Sequence, residues 1–199
     1  MASPDITALA RLSHVEFAGL AALWPKSSPA LTLQVVESMH VLSLRHWPGA
    51  GTSALSTVLA GNELPELPGP GRCCGTEHRL IWRSPNETLL LTKDAGLASA
   101  LLASLQPAPA ALACALDSSA GALVVEMKGD GVEALLSRLI DSQAQPRDAG
   151  QASRVRLMDI AAVVWRDGPD CAGLLIDRAN GHYLARWLGY AADLKLAAH

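Results

Sequence analysis

The chain has 199 residues, half of them hydrophobic and 18% charged, with a net charge of −3. That length carries a sizeable core, in one domain or in two tightly packed halves. Sixteen Lys and Arg against nineteen Asp and Glu, with no basic run, exclude an electrostatic footprint for nucleic acid, and the scarcity of charge beside so much apolar content points to a well-packed globule with surface reserved for partners.

Asp5 and Arg11 interrupt the first twelve residues, so no basic segment followed by an apolar one reads as a signal peptide. No run approaches the ~18 consecutive apolar residues a membrane helix needs. A soluble cytoplasmic protein is the expectation, and Cys73, Cys74, Cys114 and Cys171 lack the density of a disulfide-stapled secreted domain.

Residues 1–30 read as an N-terminal arm. Ser3-Pro4 suits a helix start and Leu9, Leu12, Phe17 and Leu20 give a loose apolar face, ending at the linker-like Trp24-Pro25-Lys26-Ser27-Ser28-Pro29. Leu31 to Trp47 is strand material by alternation. Pro48-Gly49-Ala50-Gly51 turns the chain into a helix from about Thr52 to Leu59, with Gly61 as its stop. A Pro- and Gly-rich surface loop fills Asn62 to Gly75. Next comes a hairpin: Arg79 to Ser84 and Thr88 to Thr92 flank the turn-forming Ser84-Pro85-Asn86. Asp94 then caps a helix carrying Leu97, Leu101, Leu102 and Leu105.

Pro107 to Pro109 marks the half-way point. Strands follow at Leu112 to Leu116 and Ala122 to Lys128, the second with Leu123, Val125 and Met127 on one face. Gly129-Asp130-Gly131 leads into a helix in which Asp130 and Glu133 fit a capping box and Val132, Leu135, Leu136, Leu139 and Ile140 form an amphipathic stripe. After a polar loop from Asp141 to Ser153, strands at Arg154 to Met158 and Ile160 to Arg166 precede a second hairpin, and a helix begins at Gly181.

The two halves repeat one order: strand, Gly-x-Gly turn, helix, loop, Trp-Arg hairpin, helix. Gly49 and Gly129 are about 80 residues apart and Trp82 and Trp165 about 83. Paired antiparallel hairpins argue for an α+β fold rather than a doubly wound parallel sheet, built as two pseudo-symmetric ferredoxin-like halves. The expected division is a single domain over residues 31–199, made of repeats at 31–106 and 110–195.

Few residues invite chemistry. Gly49-Ala50-Gly51-Thr52-Ser53-Ala54 and Gly129-Asp130-Gly131-Val132-Glu133-Ala134 match a dinucleotide fingerprint, but no second strand ending in an acidic residue follows either helix. A duplicated strand-to-helix turn explains the glycines more simply. Cys73-Cys74 with His78 lacks the paired spacing of a zinc site. His46, His78 and His182 are scattered, and Asp141, Asp148, Asp159 and Asp177 offer no helix-spaced carboxylate pair. Trp82 and Trp165 suit ligand stacking with Arg83 and Arg166 as anion donors, yet symmetric aromatics in a duplicated fold more often pack a core or a seam. No catalytic, cofactor-binding or metal-binding residue is assigned.

An ordered set of segments nevertheless resembles a known family. Leu67-Pro68-Gly69-Pro70-Gly71, Trp82-Arg83-Ser84-Pro85-Asn86-Glu87 with Leu89-Leu90-Leu91, Asp117-Ser118-Ser119, Glu126-Met127-Lys128-Gly129 and Leu174-Leu175-Ile176-Asp177-Arg178 look like the gamma subunit of heterotetrameric sarcosine oxidase, over roughly Leu31 to Ala192. That family is related to the aminomethyltransferase, or folate-binding, fold. The resemblance implies a non-catalytic subunit of a cytoplasmic complex that oxidatively demethylates sarcosine to glycine. It also implies alpha, beta and delta partner subunits holding FAD, FMN, NAD, zinc and tetrahydrofolate, with alpha as the main contact. Aminomethyltransferases carry an Asn-rich folate segment where this chain has Ser118-Ser119-Ala120-Gly121, so no folate residue carries over. A stand-alone folate-binding protein is the other reading.

Overall fold

The computed structural model describes residues 30–108 and 111–193; most of the N-terminal arm and Pro109 of the half-way boundary lie outside these. In chain order the elements are β1 (Thr32–Val35), β2 (His40–His46), α1 (Ala50–Gly61), β3 (Cys73–Cys74), β4 (His78–Ser84), β5 (Glu87–Thr92), α2 (Ala95–Ser104) and β6 (Ala113–Asp117). A short 3-10 turn at Ser119–Gly121 leads to β7 (Ala122–Lys128), α3 (Val132–Leu139), β8 (Ala152–Leu157), β9 (Ile160–Gly168), β10 (Cys171–Asp177), a second 3-10 turn and α4 (Gly181–Asp193).

The fold is α+β, with two five-stranded antiparallel sheets ordered β3-β4-β5-β2-β6 and β8-β9-β10-β7-β1. The sheets face each other, and helices cover their outer sides. Leu42, Leu44, Leu80 and Leu90 pack against Leu55 and Leu59 of α1 and Leu101 of α2. On the other sheet Leu123, Val125, Met127 and Val164 meet Leu135 and Leu136 of α3 and Leu184 and Leu188 of α4. Val41, Ile81, Leu89 and Leu91 meet Val124, Val163 and Trp165 between the sheets. Alternate side chains of a strand point to opposite faces. A strand buried on both faces therefore reads as a continuous apolar run, which is why Leu89-Leu90-Leu91 is uninterrupted.

Written in matching order, each strand of one sheet has a counterpart in the other. A pseudo-twofold passes through their joint, where Arg72 bridges Gln151. On one side of that bridge the Cys73 N–H donates to the Gly150 carbonyl, and on the other the Ala152 N–H donates to the Gly71 carbonyl, both at 2.9 Å. Gly71 and Gly150 both have positive φ, 70° and 77°, the left-handed conformation that glycine adopts without a steric penalty.

Two strands cross between the repeats, β6 into the first sheet and β1 into the second. The edge place that β6 takes beside β2 is taken beside β7 by β1, from the opposite end of the sequence. The second sheet is completed by the opening strand of the first repeat.

Of two expected helix caps, one forms and one does not. Asp94 caps α2 as expected, its side chain accepting the Leu97 N–H at 2.9 Å. The Asp130–Glu133 capping box does not form: Gly131 is the residue before α3 and no side chain caps it. Glu133 is drawn instead into a network with Gln145 and Arg166, where a long-range charged partner outcompetes a local backbone N–H.

Candidate functional site

The two Gly-x-Gly turns lie where β2 enters α1 and β7 enters α3. At Gly51 an added Cβ would run into the Leu112 carbonyl, and at Gly129, with φ of 116°, into the Ala30 carbonyl. The N–H groups a phosphate would need are committed to backbone: Gly129 donates to Asp170, Gly131 to Ala30, both at 2.8 Å, and Ser53 to Gly49 at 3.1 Å. Close approach of main chain to main chain accounts for both turns.

Cys73 and Cys74 are successive residues of β3 and point to opposite faces. Cys73 lies in the layer between the sheets, its thiol 3.7 Å from the Gln151 carbonyl, and Cys74 faces the α1 side, 3.3 Å from the Glu66 carbonyl. Burial pushes both thiols above their ordinary value, with nearby Arg79 opposing the shift. His78 is engaged elsewhere, its Nδ1 2.9 Å from the Thr92 hydroxyl. Among the described residues no three His, Cys, Asp or Glu side chains are grouped to hold a metal ion.

The remaining candidates are dispersed. His46 Nδ1 lies 3.0 Å from the Thr52 hydroxyl at the start of α1, and His182 is exposed on α4. Asp141 and Asp177 each accept a backbone N–H two residues ahead, Asp148 holds Gln151, and Asp159 lies 3.7 Å from Arg156. These carboxylates shape turns. Asp117 does the same, accepting both the N–H and the hydroxyl of Ser119.

The two Trp-Arg pairs are brought to matching hairpins, but not to matching places. Counting back from each turn, Ser84 pairs with Glu87 as Gly168 pairs with Cys171, so Trp82 is the counterpart of Arg166 and Ile81 that of Trp165. The sequence match is one residue out of register, which reverses the face of each side chain. Trp165 is therefore buried between the sheets, with the Arg79 guanidinium 5.5 Å from its ring centre and Arg79 paired to Asp167 at 2.5 Å. Trp82 lies half-buried on the helix side. Arg83 pairs with Glu87 at 2.9 Å. Arg166 is 2% exposed, donating to the Pro169 carbonyl at 2.6 Å and lying 3.3 Å from Glu133. No ligand platform is shared between the pairs.

Sequence reasoning overlooked a different feature. Where β2 ends, Trp47 stands 67% exposed beside Leu112, 48% exposed, at a cleft of about 220 Å³ also lined by Arg45, His46, Asn86 and Cys114. Next to the lining residue Asn86, the Glu87 carboxylate oxygen Oε1 accepts from Ser43 at 2.5 Å and Arg83 at 2.9 Å, with Arg45 Nε 3.7 Å away. A Trp followed by Pro at a strand end was the available signal, since the chain leaves the sheet before the side chain can be covered.

No family model matches the chain, and no curated protein matches it in sequence. Comparison of structures does. A chain of the heterotetrameric sarcosine oxidase from Corynebacterium sp. U-96, solved in complex with pyrrole 2-carboxylate, superposes with a TM-score of 0.74 and 25% identity, covering 92% of this chain and 93% of that one. Over nine-tenths of its length the protein is similar to a sarcosine oxidase chain. The glycine cleavage system aminomethyltransferase T from Bartonella henselae matches with a TM-score of 0.55 and 13% identity, over 85% of this chain and 47% of that one. This second likeness is one of fold, and it makes the two-sheet architecture aminomethyltransferase-like. Among the described residues no helix is long and apolar enough to cross a membrane.

Proposed function

We propose that the protein is a gamma-type, non-catalytic assembly subunit of a heterotetrameric sarcosine oxidase complex. The observation that carries this reading is the reciprocal coverage of the structural match, 92% of one chain and 93% of the other, which fits a whole small subunit of such a complex. The arrangement of side chains is in keeping with it: the sequence-level candidates are spent on turns, caps and core, as a scaffold requires. Alpha would be the principal partner, with beta and delta completing the assembly. FAD, FMN, NAD, zinc and tetrahydrofolate would reside in those partners, and oxidative demethylation of sarcosine to glycine would take place there.

The test is co-expression with the large flavoprotein subunits encoded by the same organism. A stable complex containing one copy of this chain, with the chain alone colourless, is the expected result; flavin retained by the isolated chain would overturn it. The aminomethyltransferase-like fold favours a second reading, a stand-alone folate-binding protein. Titration with a reduced folate separates the two, because saturable low-micromolar binding to the isolated chain belongs only to the second.

A further inference from the structure

The root of Trp47 is held from both sides: its N–H donates to the Leu112 carbonyl at 2.9 Å and its own carbonyl accepts the Thr52 N–H at 3.0 Å. The indole therefore stands in solvent on a fixed base. Ordering it against a partner would cost little entropy, the property that makes a rigid aromatic an effective anchor. Charge sharpens the choice of occupant. Arg45 and Arg83 share the single carboxylate of Glu87, already engaged by Ser43, and none of the residues lining the cleft is acidic. Arg45, with its side chain 56% exposed, is the surplus cation.

From these features we infer that the Trp47–Leu112 cleft is the docking point of the large partner subunit, receiving one apolar side chain flanked by a carboxylate that pairs with Arg45. The inference rests on the subunit role proposed above. A cleft of about 220 Å³ is smaller than ordinary small-molecule sites, which run from about 300 to 1,000 Å³. A second copy of this chain is the poorer occupant, because a twofold contact through this patch would set Arg45 near its own mate.

The experiment uses the co-expressed complex and the purified large subunits of the same organism. Trp47→Ala should weaken their binding about 30-fold and Arg45→Glu about tenfold, with Arg45→Glu also losing the salt dependence of association. Arg156→Glu, on the distant edge strand β8, should bind as wild type. Unchanged circular dichroism and thermal midpoints establish that the variants fold, as expected for exposed positions. Wild-type affinity in both Trp47→Ala and Arg45→Glu would overturn the docking assignment while leaving the subunit role intact. Failure of the wild-type chain to bind would overturn both. A dimer of the isolated chain that disappears in Trp47→Ala would assign the cleft to a second copy and overturn the inference.

Discussion

Arg166 is the residue whose environment is least expected from its type. Its side chain is 2% exposed, and its Nε and Nη1 have no partner among the described residues. Its partners are one carbonyl and a glutamate that is itself half in solvent. Desolvating a guanidinium costs several kcal/mol, and such an incomplete set of partners offsets only part of that cost. Arg166→Met should accordingly leave the unfolding free energy unchanged within about 1 kcal/mol or raise it. Glu133→Ala, which leaves the buried cation behind, should lower it by about 1–2 kcal/mol, a figure reduced for the exposure of Glu133. Urea unfolding of the two variants checks the order, and an Arg166→Met loss above about 3 kcal/mol would contradict it. The identity of Arg166 was legible as a Trp-Arg motif. Its burial was not, because that depends on which face the hairpin register assigns.

Between elements, the two hairpins fill equivalent space with different volumes. Ile81 faces Leu89 in one, and Trp165 faces Gly173 in the other. A Cβ at Gly173 would collide with the Trp165 ring, so the missing side chain on β10 makes room for the large one on β9. Gly173→Ala should destabilise the protein by about 1–3 kcal/mol through overpacking. Adding Trp165→Ile, which copies the residue at Ile81, should recover part of that loss, measured as a non-additive term in a double-mutant cycle. Additive effects would show that the ring and the glycine are not coupled. The hairpins themselves were plain in the sequence from Pro85-Asn86 and Gly168-Pro169-Asp170. Their mutual alignment was missed by one residue, because the matching Trp-Arg letters drew the comparison away from the turns that set the register.

At the level of the whole molecule, the placement of β1 ties the halves together. It opens the first repeat yet hydrogen-bonds β7 of the second, and the layer between the sheets draws Ile81 and Leu89 from one half and Val124 and Trp165 from the other. Neither half closes its own core. Fragments 1–108 and 109–199 should therefore be unfolded or aggregated alone and regain native-like circular dichroism when mixed, whereas the intact chain unfolds in one transition. A fragment 109–199 that folds alone with a sharp transition would contradict this. For the proposed subunit role, the same packing would hold Trp47 and Arg45 at the end of β2 with both side chains exposed.

The sequence alone determined the α+β class, the duplication, the hairpins and the Asp94 cap, because those follow from periodicity, turn chemistry and local hydrogen bonding, all interactions between near neighbours. Tertiary structure decided the rest. Which face each tryptophan shows, why Glu133 abandons its helix end for Arg166, how β1 crosses to the far sheet and why Trp47 is left in solvent are set by contacts between residues distant in the chain. Such contacts have no period or spacing to be read, only a geometry once both sheets are in place.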